Sequence, residues 1–258
     1  MVQSTWVSTP SQGGALLRSG RGLDPHDFWN WGLSARFGQE KRGQTARISN
    51  VTSPQSTSPF ERFSPEDVRA LIGDYPLAWV IAQGGSGEES TPLPLIGVYD
   101  ADGQLVELIG HMARANPLHA ALAADPRALI LFQGPQSYVS PDQVGRRDWA
   151  PTWNYTQLRI RADITFEPER TADALDVLID AVEGDRSAPW RAEELGARYD
   201  GLLAAIIGFR ARLVSLRGKF KLGQDEAPAD YRAIRATTRD PAMLHWMDRF
   251  NGSRGSAS

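Results

Sequence analysis

The spacing of apolar positions changes several times between residues 64 and 133, and each change marks an element. "SPEDVRALIGDY" sets Val68, Leu71 and Ile72 at helical spacing behind a Ser-x-x-Asp box and a proline, which predicts a short amphipathic helix. "PLAWVIAQ" (76–83) is an apolar run of strand length. "TPLPLIGVYDADGQLVELIG" predicts two strands joined by the turn Asp100-Ala101-Asp102-Gly103, with Pro92 and Pro94 marking a strand edge or entrance. "NPLHAALAADP" predicts a helix with Asn116 as its cap and Pro117 in its first turn, and "RALILFQG" predicts another strand.

Farther on the period becomes two. Tyr155, Gln157, Arg159 and Arg161 alternate with Thr156, Leu158, Ile160 and Ala162, the mark of a long half-buried strand. "ERTADALDVLIDAVE" and "WRAEELGARYDGLLAAII" return to helical spacing. "GFRARLVSLRGKFKLG" is a late strand with Phe209, Ala211, Leu213 and Ser215 set against arginines and Val214, and two short helices follow it. "PQSYVSPDQVGRRDWAPTWN" is expected to be a loop. The pattern predicts about six strands in the first two-thirds of the chain, then a helical pair, one late strand and a helical end. Hairpin connections dominate, which suggests a small antiparallel barrel with appended helices.

Residues 1–57 break this texture. They are rich in Gly, Ser, Gln, Thr and Arg and read as an extended arm. Within them "DPHDFWNWGL" gathers Phe28, Trp29 and Trp31, a segment expected to dock on the body or on a partner subunit. Asp24, His26 and Asp27 fit a metal cluster or a capped helix start, and the second is favoured. The expected organisation is an arm over 1–57, the main barrel over 58–168, a helical insertion over 169–207, a closing strand with terminal helices over 208–250 and a frayed tail over 251–258.

Composition narrows the chemistry. The 258 residues contain no cysteine, which excludes disulfides, thiolate catalysis and iron–sulfur clusters. The formal net charge of −3 argues against a broadly basic nucleic-acid surface. No run approaches the ~18 apolar residues of a membrane span, and the N-terminus lacks a signal-peptide pattern. No membrane association and a cytoplasmic location are therefore expected. The familiar signatures of serine hydrolases, P-loops, zinc proteases and dinucleotide folds are missing. No metal site is expected.

Four polar clusters sit at strand ends instead. "GHMARANP" couples Arg114 to a helix start, which suits an anion as well as an ordinary capped helix. "QGPQSYVSP" offers Tyr138 and Ser140 as hydrogen-bonding groups. "APTWNY" sets aromatic faces around an amide, suited to a flat heteroaromatic ring or to a core corner. "RGKFKLGQ" points Lys219 and Lys221 to one face, as a ligand contact or as solvated edge lysines.

In this order, "GHMARANP", "LFQGPQSYVSP", "APTWNY" and "GKFKLGQD" resemble the PaiB-type FMN-binding family, a family labelled as negative transcriptional regulators. The resemblance covers roughly residues 58–240. It implies a six-stranded antiparallel Greek-key split barrel, mainly β with appended helices, similar to pyridoxamine phosphate oxidases and small flavin reductases. It implies a homodimer with FMN at the subunit interface. Carried onto this chain, the FMN phosphate would fall to His111, Met112, Ala113, Arg114 and Asn116. Thr152, Trp153 and Asn154 would line the flavin or substrate side. Lys219, Lys221 and Gln224 would reach in from the partner subunit. Tyr138, Ser140 and Tyr155 are substrate-side candidates, and no catalytic residue is assigned.

The chain departs from the family pattern at Asp142-Gln143-Val144, where Trp-Tyr is usual, and at "KLGQD", where "KLSQN" is usual. These departures concentrate on the substrate side. An FMN oxidoreductase of a small organic substrate, with NAD(P)H as a further candidate partner, is the leading expectation. A ligand-responsive regulator and a haem-binding barrel using His26, His111, His119 or His245 are the alternatives; nucleic acid is not an expected partner.

Overall fold

A computed structural model describes residues 58–84 and 89–252. The six strands are β1 (Leu77–Ala82), β2 (Ser90–Tyr99), β3 (Leu105–Ala113), β4 (Arg127–Val139), β5 (Thr152–Phe166) and β6 (Ile206–Lys221). The helices are α1 (Pro65–Asp74), α2 (Pro117–Ala124), α3 (Pro141–Val144), α4 (Thr171–Glu183), α5 (Tyr199–Ala204), α6 (Pro228–Thr237) and α7 (Pro241–Asn251). The strands close into a barrel in the order β1-β2-β3-β6-β5-β4, every pairing antiparallel. The arm with its aromatic segment and the Asp24–His26–Asp27 group, together with most of the tail, lie outside the described residues.

Inward positions fill the barrel as the period-two pattern requires. Ala78, Val80, Leu95, Leu108, Ile130, Phe132, Leu158, Ile160 and Ala211 are fully buried. α1 starts as its sequence dictates: Ser64 Oγ accepts from Asp67 N, and Asp67 returns a bond to Ser64 N. β4, β5 and β6 run on past the barrel proper as a three-stranded extension. There Phe220 stacks on both Trp246 and Phe250 of α7, with ring centroids 5.8 and 4.8 Å away.

The observed elements differ from the pattern in three places. Five strands, not about six, precede the helical insertion, and the late strand makes the sixth. The predicted loop after "LFQG" is strand at both of its ends. β4 continues to Val139 and β5 begins at Thr152, with one extra β4 residue accommodated between Gln133 and Gln136. Gly134 sits in that irregularity, and a Cβ there would come 2.2 Å from Thr156 Oγ1 and 2.6 Å from Leu71 Cδ1. Finally, the helix predicted over "WRAEELGARYDGLLAAII" is broken. Gly196 takes φ 55°, ψ −130°, so a short 3-10 segment and α5 replace one long helix, and Ile206 already belongs to β6.

A second bulge decides which way the late strand faces. Arg161 pairs with Ser215 but Ala162 pairs with Leu213, so Val214 is left between two ladder positions. Before it, Phe209, Ala211 and Leu213 point inward; after it, Gly218 and Phe220 do. Simple alternation from Phe209 would have turned Lys219 and Lys221 into the core. The bulge turns them out.

Candidate functional site

The sequence-derived site residues separate into three groups. Tyr138, Trp153, Tyr155, Lys219 and Lys221 share the outer face of the β4–β5–β6 extension, because they occupy outward positions in paired rows. Tyr138 pairs with Trp153 and Tyr155 with Lys221. The Tyr138 and Trp153 rings are about half exposed, with centroids 5.5 Å apart. Lys221 Nζ donates to Thr152 Oγ1 at 2.7 Å and lies 5.6 Å from the Phe60 ring centroid. Lys219 Nζ lies 6.0 Å from the Tyr155 ring centroid. This face therefore combines flat aromatic surface with ammonium groups.

The second group lies at the other end of the barrel. Arg114 follows β3, and its backbone N–H donates to Ala205 O at 2.9 Å. Its Nε donates to Ala204 O at 3.2 Å, while the exposed guanidinium keeps further donors. Asn116 Oδ1 accepts from Leu118 N, and its amide meets Thr91 Oγ1. The helix cap is thus satisfied locally, which leaves the Arg114 guanidinium as the group with unused donors at this end. Ala113 is exposed beside it. His111 faces outward on the same strand, opposite Gly208 and next to α4. Its Nδ1 is buried without a hydrogen-bond partner, and burial holds its pKa below the usual histidine value.

The remaining residues are held within the fold. Met112 is buried in the barrel core. Asn154 faces inward, is buried, and its amide reaches Met247 Sδ at 3.9 Å. Ser140 caps α3, accepting from Asp142 N. Gln224 closes the end of β6, accepting from Leu222 N and donating to Phe220 O. Alternation separates neighbours in a strand: Trp153 is at the outer face and Asn154 is beneath it. Of the imidazoles, His119 Nδ1 lies 3.1 Å from Arg114 O and His245 stands edge-on to Trp246.

The structure adds Glu226, near Lys221, to the residues singled out in the sequence. Glu226 has its carboxyl pKa raised by burial and by Asp225, against the opposing pull of Lys221 and a hydrogen bond with the Trp149 side chain. The signal available was the acidic pair in "GQDE" directly after the lysines. Among the described residues there is no group of three or more His, Cys, Asp or Glu that could hold a metal ion. No described helix is long and apolar enough to cross a membrane.

The chemistry of these donors fits FMN. Arg114 offers a cation with unused N–H groups to a phosphate, and Tyr138, Trp153 and Tyr155 offer faces to a ring system. The two ends stand at opposite termini of β6, which is 16 residues long, about 50 Å of strand at ~3.3 Å per residue before curvature. A single flavin does not reach both within one copy of the chain.

A closed antiparallel barrel with an extended outer face, a cationic aromatic patch and an arginine at the β3 end defines a flavin-binding split barrel. Comparison with known proteins agrees. Residues 56–215 match the family described as "Putative FMN-binding domain", and the chain belongs to that family. FMN, the cofactor implied by the resemblance, is the one the family is described by. The match ends before Lys219.

Among curated relatives, "Protease synthase and sporulation protein PAI 2" of Bacillus subtilis is 28% identical over 129 residues, covering 49% of this chain and 62% of the relative. An uncharacterised protein of Aspergillus fumigatus is 28% identical over 166 residues, covering 49% of this chain and 64% of the relative. The chain thus spans under two thirds of the length of both. Among solved structures, a FAD and heme binding protein from Mycobacterium smegmatis superimposes with a TM-score of 0.50 at 22% identity, over 69% of this chain and 80% of that one. That likeness shows the fold.

Proposed function

We propose that the protein is an FMN-dependent oxidoreductase whose site is completed by a second copy of the chain. The observation that carries this reading is the separation of the two recognition ends. Arg114 and the lysine–aromatic face suit the two parts of one flavin but lie at opposite ends of β6. A two-fold dimer brings the Arg114 end of one copy to the Lys221 end of the other. The exposed Leu77 on the outer face of β1 supplies apolar surface for such an interface.

In this arrangement Arg114 binds the phosphate and Trp153, Tyr155 and Tyr138 flank the ring. Lys221, fixed by Thr152, holds positive charge beside it. When bound, FMN supplies hydride transfer. Glu226, its carboxyl pKa raised first by burial, stands near Lys221 as the acid–base group of this end. The dense aromatic surface limits water at the ring.

The test is spectroscopic. The purified protein should show flavin absorbance and release FMN on denaturation. Arg114→Ala removes a charge-assisted contact of about 1.5–3 kcal/mol and should weaken FMN binding about 10- to 100-fold. A wild-type protein that takes up no FMN on reconstitution would refute the reading. Binding without NAD(P)H-dependent bleaching would instead favour a ligand-responsive regulator.

A further inference from the structure

One feature of the outer face has no explanation in folding. Arg159 on β5 and Arg217 on β6 are direct cross-strand partners at outward positions. Such side chains start from Cβ atoms about 4.5–5.5 Å apart, and like charges placed so oppose pairing. Both are exposed, and neither makes an ion pair among the described residues. Arg161 stands one row to one side and Lys219 one row to the other. Outward positions of β4, β5 and β6 from the Leu129 row to the Tyr138 row carry no acidic residue. The concentration is local, since the whole chain carries a net charge of −3. In the same row, Leu131 pairs with both Arg159 and Trp79, and Trp79 is half exposed.

We propose that the Arg159–Arg217 pair, flanked by Arg161 and Lys219, is a binding site for a phosphorylated small molecule that lies with its apolar part on Leu131 and Trp79. This deepens the flavin reading by naming the class of its second ligand, and rests on that reading only for what the ligand does there. Phosphate is favoured by its oxygens. One arginine fork already matches both oxygens of a carboxylate, whereas two forks side by side match the several oxygens of a phosphate or pyrophosphate. In the proposed dimer the flavin phosphate is met by Arg114 of the other copy, so its charge is matched there rather than by this pair. A nucleoside pyrophosphate fits best, with charge on the arginines and a ring system on Trp79.

The experiment is titration calorimetry of the full chain with inorganic pyrophosphate, orthophosphate and benzoate, on the wild type and on Arg159→Gln and Arg217→Gln. Pyrophosphate should bind the wild type more tightly than orthophosphate, benzoate should bind weakly, and each substitution should weaken pyrophosphate at least tenfold. Flavin absorbance should be retained in both variants, and the thermal midpoint should hold or rise as the like-charge pair is relieved. Unchanged pyrophosphate affinity overturns the site. Benzoate binding as tight as pyrophosphate, and equally lost, overturns the phosphate class. Loss of the dimer with pyrophosphate affinity intact overturns it in favour of an acidic surface on a second copy. A wild type that binds pyrophosphate but no FMN sinks the flavin reading and leaves this one standing.

Discussion

At the scale of single residues, a strand decides a side chain's role by parity. Trp153 and Asn154 are neighbours in one motif, yet Trp153 is half exposed and Asn154 is buried against α7. Their types were legible in the sequence; their separation required the strand to begin at Thr152. His111 supplies a prediction at this scale. An unfolded histidine titrates near 6.5, and burial lowers the folded value. Between the two values the unfolded chain binds more protons. Stability from neutral His111 is therefore full above pH ~6.5 and falls as pH drops toward the folded value. The thermal midpoint should decline from pH 7.5 to 5, and His111→Leu should flatten that decline. An identical slope in the variant would assign the loss to other groups.

Between single residues and the whole barrel, two irregularities aim the functional face. The extra residue near Gly134 turns Tyr138 outward, and the bulge at Val214 turns Lys219 and Lys221 outward. The first depends on a glycine at close quarters. Gly134→Ala would place a methyl 2.2 Å from Thr156 Oγ1 and should cost about 1–3 kcal/mol. For a chain of this size that lowers the midpoint by roughly 2–12 °C. A variant as stable as wild type, measured by circular dichroism melting, would mean that β4 relaxes freely here. The alternating pattern of β5 was fully readable, since Thr156 to Ala162 keeps one phase. β6 was not, because a bulge leaves no mark in hydropathy: Val214 looks like any strand valine.

Across the whole molecule, distance sets the two recognition ends apart. Arg114 and Lys221 belong to one family signature but stand at the two ends of β6. If each flavin is held by two copies, subunit mixing reports it. Arg114→Ala and Lys221→Ala homodimers should each bind FMN weakly at both sites. In mixed dimers one site carries both defects and the other carries neither. Co-refolding equal amounts should restore tight FMN binding at about a quarter of all sites, by the statistics of two-fold assembly. No recovery would mean that each flavin is held within a single copy of the chain.

The sequence by itself determined the fold class and the four clusters. Strand periodicity, the hairpin at Asp100–Gly103 and the Asn116-Pro117 cap are local, and local interactions are written in local residue order. It also determined the family, because the spacing of "GHMARANP", "PTWNY" and "GKFKLGQ" survives in the chain. Only the tertiary structure decided which of those residues meet. It set Arg159 against Arg217, drew Glu226 and Phe60 to Lys221, and separated Arg114 from all of them. Those outcomes depend on register, and register follows from bulges and barrel closure, which couple residues far apart in the chain.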